Sequence, residues 1–270
     1  MTFKMKTAGE AGVLSHAHFL QRDDLYTKEK PYSLRYTPPE GFPRANIRLE
    51  RHDIRVRDVR AVKDELSFER DGCEIVHLSS QMKYADWDDD STIKSVFLRE
   101  VADHLRKALN AQHVQIFEHT VCIVPDPVIQ ELTMERDTTV PWVLDMVRSL
   151  NPETAEEIMK HRIQCVKSVY QIGRTDAALT QISVWKPLVG PIRDWPLAMC
   201  DPRSMNVDQD LEPCDLVYPD YVVENQQVYF SDAFEWAYLS DQQPNEAWIF
   251  LQSDTDPYGK PGMIFSAFDG

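Results

Sequence analysis

The stretch TQISVWKPLVGPIRDWPLAMCDPRSMNVDQDLEPCD, residues 180–215, decides the fold. Alternating apolar residues at Ile182 and Val184 predict a strand over 180–186. Pro187, Gly190 and Pro191 then turn a corner, and Trp195 to Cys200 supplies a second apolar run. Prolines at 187, 191, 196, 202 and 213 exclude a long helix, because each lacks an N–H and drives its predecessor to extended geometry. Asp201 and Arg203 follow as a charged pair at the mouth of whatever the strands enclose.

Working outward, the pattern after this stretch is strand and turn: 196–200, 221–224, 227–231, 235–240, 246–252 and 262–268. Before it, short alternating runs predict strands over 52–61, 73–78 and 114–124. Asp88 to Ser91 supply N-terminal signals for a helix over 91–110, whose Ile93, Phe97, Val101 and Leu105 fall on one face. Asn151 and Pro152 predict the start of a second helix over about 152–166. Residues 1–20 read as a loose arm with one apolar turn, and 26–50, dense in Pro, Tyr and Gly, as an extended segment wrapping the domain. Short strands preceded by helices predict a mainly β protein with flanking helices, an α+β jelly roll. The expected organisation is a single domain over 1–270 with an extended arm over about 1–50.

The composition is ordinary for a globular chain, with 43% hydrophobic and 27% charged residues. Net charge is −15, and beyond Arg203 there is no arginine and a single lysine, Lys260, against thirteen acidic residues. An acidic surface repels phosphate backbones, which excludes nucleic acid as the expected partner. Five cysteines without a C-x-x-C suit reduced thiols and a cytoplasmic location. No segment is apolar enough for a signal peptide or a membrane span.

The run WKPLVGPIRDWPLAMCDPR, residues 185–203, fits W-[KR]-P-L-x-G-P-x-x-D-x-P-L-A-x-C-D-x-R, a pattern that resembles the fungal gibberellin-desaturase-like family, which includes relatives of the cephamycin methoxylation protein. The resemblance extends over LYTKEKPYSLRYTPPEGFPRANIRLE (25–50), Asp58 to Arg60, EHT (118–120), CDLVYPD (214–220), EWAYLSDQQPNEAWIF (235–250) and SAF (266–268). It implies the double-stranded β-helix and non-haem iron, 2-oxoglutarate-dependent hydroxylation or desaturation in specialised metabolism.

That chemistry needs two imidazoles and a carboxylate facing one iron, usually with H-x-[DE] on one strand and the second histidine on a late one. The eight histidines here are 16, 18, 52, 77, 104, 113, 119 and 161. None begins an H-x-[DE], and none follows 161. The resemblance sets Thr133 and Glu135, in LTMERDT, where the family carries H-x-D, and Phe265 where it carries the late histidine. The expectation is therefore no metal site and no cofactor, with an unusual ligand set involving His119 as the alternative.

In a vacated pocket, Glu135, His119 and Arg193 are the candidate catalytic groups. Glu135 serves as general acid or base, His119 as proton donor or hydrogen-bond partner, and Arg193 as a grip on a carbonyl or carboxylate. Thr133, Trp185, Lys186 and Trp195 are candidate substrate contacts, as are Asp201, Arg203, Tyr238 and Phe265; the aromatic members supply apolar wall. The sequence thus predicts a metal-independent, non-oxidative enzyme, a pericyclic (Diels–Alder type) cyclase or an isomerase, acting on a small apolar polyketide or terpenoid. A non-catalytic subunit of an active homologue and an iron oxygenase with unusual ligands stand as alternatives. A homodimer and a pairing with a homologue both remain open.

Overall fold

The computed structural model describes residues 12–111, 114–116, 134–136, 139–166, 169–171, 184–256 and 261–268. Its first seven strands are β1 (Gly12–Leu20), β2 (Tyr32–Leu34), β3 (Leu49–Asp58), β4 (Cys73–His77), β5 (Glu135–Arg136), β6 (Gln164–Val166) and β7 (Val169–Gln171). Then come β8 (Val184–Pro187), β9 (Leu197–Cys200), β10 (Leu211–Val217), β11 (Val222–Val228), β12 (Trp236–Tyr238), β13 (Glu246–Asp254) and β14 (Phe265–Ala267). The larger sheet runs β1-β3-β12-β9-β14-β5-β11-β10-β2, and the smaller runs β4-β13-β8-β7 with β6 on β13. A bridge between Leu20 and Tyr229 brings the end of β1 back to the end of β11, so the larger sheet curls.

The two-residue period of a strand sends successive side chains to opposite faces and builds separate cores. Leu197, Met199, Ala237 and Phe265 of the larger sheet pack with Trp185, Trp248 and Phe250 of the smaller one, filling the space between the sheets. Their alternates Ala198, Cys200, Trp236 and Ile264 pack inside the curl with Phe19 and Val56. On the far side of the smaller sheet, Val184, Ala247, Ile249 and Leu251 meet Ile93, Phe97, Val101 and Leu105 of the helical layer. The result is a jelly roll with one helical flank, as the strand pattern predicts.

The flanking helix is a turn at Asp90–Thr92, a π-helical segment Ile93–Phe97 and the α-helix Leu98–Ala108. Asp89 caps it by accepting from the Ser91 N–H, and Arg106 and Lys107 sit at the negative end of its dipole.

Several expectations are corrected. Residues 12–20 form no loose arm: β1 pairs with β3 from Gly12 opposite Arg57 to Leu20 opposite Leu49. The histidines at 16 and 18 hide an alternation in which Ala17 and Phe19 point inward. The helix expected over 152–166 shrinks to Ala155–Ile158, and the longer helix is Val140–Leu150. Thr139 starts that helix by accepting from the Trp142 N–H, with Pro141 in its first turn. Asn151, read as a start signal, is its C-cap and donates from Nδ2 to the Val147 carbonyl.

Residues 114–116 lie in no strand, and 117–124 fall outside the described residues. The runs at 221–224 and 227–231 merge into β11. Pro213 disguised β10, yet it sits beyond the Asp215–Val217 stretch that β2 pairs, where a missing N–H is tolerated. Among the described residues no helix is long and apolar enough to cross a membrane.

Candidate active site between the sheets

Strand register aligns Gln227, Glu135, Phe265 and Met199 in one row across β11, β5, β14 and β9. Phe265 and Met199 of this row are buried in the space between the sheets. The facing wall is aromatic. Trp185 and Trp248 are cross-strand partners, and the Phe250 ring lies 5.2 Å from that of Phe265. Among the described residues, the Trp248 Nε1–H and the Gln227 Oε1 are enclosed without a hydrogen-bond partner. Leaving such groups unpaired costs about 1–3 kcal/mol each.

The residues singled out from the sequence divide sharply. Trp185 and Phe265 line this interior. The β5 backbone places Glu135 beside Phe265, while the Glu135 side chain, Thr133 and His119 lie outside what the structure describes.

Lys186 does not belong here. Alternation turns it to the helical side, where its Nζ lies 5.5 Å from the Phe97 ring and 5.8 Å from the Trp87 ring. Burial pulls its pKa down to about 8, with Glu100 opposing the shift. Tyr238 is also turned away, packing edge-on against Phe268, 5.2 Å between centroids. Arg193 is a solvent-facing residue whose Nε donates to Asp241 at 2.9 Å, so it grips nothing in the interior. Trp195 adopts φ 53°, half-buried at the corner, and joins none of the three buried clusters.

Asp201 and Arg203 form a structural clamp. Arg203 donates from Nε to Asp201 Oδ1 (2.8 Å), from Nη2 to Asp201 Oδ2 (2.7 Å) and from Nη1 to the fully buried Asp71 (3.0 Å). With these donors engaged, neither residue is set up as a substrate contact. Gln227 and Trp248 went unnoticed in the sequence. A signal existed for the first: VENQQV places four consecutive polar residues inside a strand, and the last three, Asn225, Gln226 and Gln227, are all buried. A surface cleft of about 530 Å³, bordered by Leu144, Arg148, Met159 and Arg162, lies apart from this interior.

The iron site implied by the resemblance can be tested on the donor set. Phe265 offers hydrocarbon where an imidazole is expected. Among the described residues no group of three or more His, Cys, Asp or Glu converges to hold a metal. The described donors therefore do not fit the usual facial site.

A family model described as "Oxidoreductase/YMDC permease-like domain" matches residues 17–269. The Fe(II)/2-oxoglutarate-dependent dioxygenase nvfI of Aspergillus novofumigatus is 28% identical over 91% of this chain and 85% of its own. The chain belongs to the fungal Fe(II)/2-oxoglutarate-dependent dioxygenase-like family. The alpha-ketoglutarate-dependent dioxygenase tstK of Talaromyces stipitatus is 29% identical over 82% of this chain and 79% of its own. The hydroxylase/desaturase efuI of Hormonema carpetanum is 26% identical over 76% and 72%. In fold, the chain matches the solved iron and alpha-ketoglutarate-dependent endoperoxidase NvfI with TM-score 0.79 at 24% identity, over 97% of this chain and 92% of the other.

These family relations bear out the resemblance and the jelly roll, and they place the chain among enzymes. They overturn the expected metal-independent cyclase or isomerase, because the relatives that match most of this chain carry oxygenase and hydroxylase/desaturase names. That expectation came from histidines missing at fixed spacings. A ligand set is defined by convergence in space, and H-x-[DE] spacing is only one way to achieve it.

Proposed function

We propose that this chain is an oxidoreductase of fungal specialised metabolism, hydroxylating or desaturating a small, largely apolar molecule in the Fe(II)/2-oxoglutarate-dependent manner, with a ligand set other than H-x-[DE] and a late histidine. The observation that supports this reading is the register of Glu135 against Phe265: the strands carrying the positions that the resemblance assigns to ligands are neighbours beside an aromatic interior. Trp185, Trp248, Phe250 and Phe265 form walls that exclude water and favour a hydrocarbon guest. In this reading the Trp248 Nε1–H would donate to a substrate carbonyl and Gln227 Oε1 would accept from a hydroxyl, both atoms being enclosed without a partner among the described residues. The test is succinate formation from 2-oxoglutarate under air with Fe(II) and candidate polyketide or terpenoid substrates. Substrate-dependent succinate with a product 16 mass units heavier or 2 lighter supports the reading, and an unchanged substrate across the panel opposes it.

Phe265 also favours a second reading, a non-catalytic subunit that stabilises an active homologue, because a phenyl ring cannot ligate metal. Co-expression separates the two. Activity of the homologue that rises with this chain, while this chain alone stays inert, selects the second reading.

A further inference from the structure

Lysines of this chain hold carboxylates: Lys30 with Asp215 and Glu224, Lys63 with Glu246, Lys94 with Asp90 and Lys160 with Glu157. Lys186 is the contrast. It is 4% exposed on β8 and, among the described residues, makes no ion pair and no hydrogen bond. An ammonium taken out of water without acceptors is costly, so burial favours the neutral amine and draws the Lys186 pKa down to about 8. At pH 7 about a tenth of such an amine is free, against less than about one part in a thousand for an ordinary lysine.

The surroundings suit a reactive amine. Trp87 and Phe97 meet edge to face with centroids 4.8 Å apart, and the Lys186 Nζ lies 5.8 Å from the first ring and 5.5 Å from the second. Phe97 closes the π-helical segment Ile93–Phe97, a kind of turn that recurs at functional sites. Just beyond it, Glu100 of the helix Leu98–Ala108 accepts from the Gln81 N–H at 3.0 Å through Oε1. The Glu100 Oε2 is enclosed without a hydrogen-bond partner among the described residues, and the charge of this group acts on the Lys186 amine. Met82 and Leu188 extend the apolar wall. A free amine, two rings and an unsatisfied carboxylate oxygen thus share the helical side of the smaller sheet.

We propose that Lys186 is a covalent capture site for a small apolar aldehyde, held as an imine between the smaller sheet and the helical flank. The neutral nitrogen bonds to the carbonyl carbon, the carbon–oxygen bond breaks, and both amine hydrogens leave with the oxygen as one water. Nothing is oxidised or reduced. Once protonated, the imine keeps a positive charge over the two rings and near Glu100. The rings favour an apolar aldehyde, and the Glu100 charge disfavours an acidic one. Lys186 lies across β8 from Trp185 and the interior, so this site requires neither iron nor the oxidoreductase reading.

The experiment incubates the full chain at pH 7 with benzaldehyde and sodium cyanoborohydride, which reduces an imine to a stable secondary amine. Peptide mass spectrometry reads the uptake at each lysine. Lys186 should be labelled at least about tenfold faster than the exposed Lys94 and Lys160. The advantage should vanish in urea-unfolded chain, where the amine is ordinary. Relative to Lys94, the anionic aldehyde glyoxylate should label Lys186 at least about fivefold more slowly than benzaldehyde does. Lys186→Met should lose the fast label and leave the uptake at Lys94 and Lys160 unchanged. Labelling of Lys186 no faster than Lys94, an advantage that persists in urea, or glyoxylate captured as readily as benzaldehyde would overturn the assignment.

Discussion

Phe265 of β14 stands directly across from Glu135 of β5, the one cross-strand pair joining these two strands. The two positions that the family resemblance assigns to metal ligands are thus neighbours, and one of them carries a hydrocarbon ring. Replacing that ring tests whether the geometry survives. Phe265→His is expected to raise Co(II) affinity at least about tenfold, read by the visible d–d absorption of the bound ion, while Phe265→Leu gives no gain. Equal affinity in the two variants would show that the row does not aim at a common point.

The corner clamp is expected to be a stability feature. Arg203→Ala removes a guanidinium shared by the buried Asp201 and Asp71, while Asp71 keeps Arg70 and the Ser67 N–H, and should cost about 1.5–3 kcal/mol in denaturant unfolding. Arg203→Lys should recover less than half, since lysine cannot make the paired bonds to Asp201 and reach Asp71 at once. A loss under about 0.5 kcal/mol would place the clamp among surface pairs of little worth.

Much of this was readable in advance, and the failures have causes. The continuous apolar run AWIFL (247–251), bounded by polar residues, marked a strand buried on both faces, and the one-faced helix around Val101 and Leu105 declared itself by period. β1 and β10 did not, because histidines and Pro213 interrupt patterns that tertiary pairing completes. For the site, chemistry misled. Lys186 and Tyr238 were chosen by type, and the one-residue alternation that turns each away from the interior follows only once Trp185 and Ala237 are fixed inside.

Acid stability should depend on Glu246. Burial acts to raise its pKa, but hydrogen bonds from Arg60 and Lys63 outweigh it and hold the group down to about 2, below the ordinary 4.5. With the folded value depressed, its contribution is complete above about 4.5 and lost as pH falls from there toward about 2. Glu246→Gln should therefore flatten the decline in melting temperature across that window. An unchanged slope would assign the acid sensitivity to other carboxylates.

Lys186 should behave oppositely. Its folded pKa of about 8 lies below the ordinary 10.5, so the unfolded chain binds the proton more tightly and stability rises with pH between those values. Lys186→Met should remove that rise and stabilise the protein at pH 7 by on the order of 2 kcal/mol, with catalysis retained. A destabilised variant would mean that the amine holds a partner worth more than its burial cost.

The most direct test of the oxidoreductase account is anaerobic loading with Fe(II), desalting, and calorimetry with 2-oxoglutarate on the same sample. The account predicts about one iron retained per chain and a 2-oxoglutarate isotherm that tightens when iron is present. Protein that leaves the column without iron and binds 2-oxoglutarate no better with Fe(II) than without it would contradict the account.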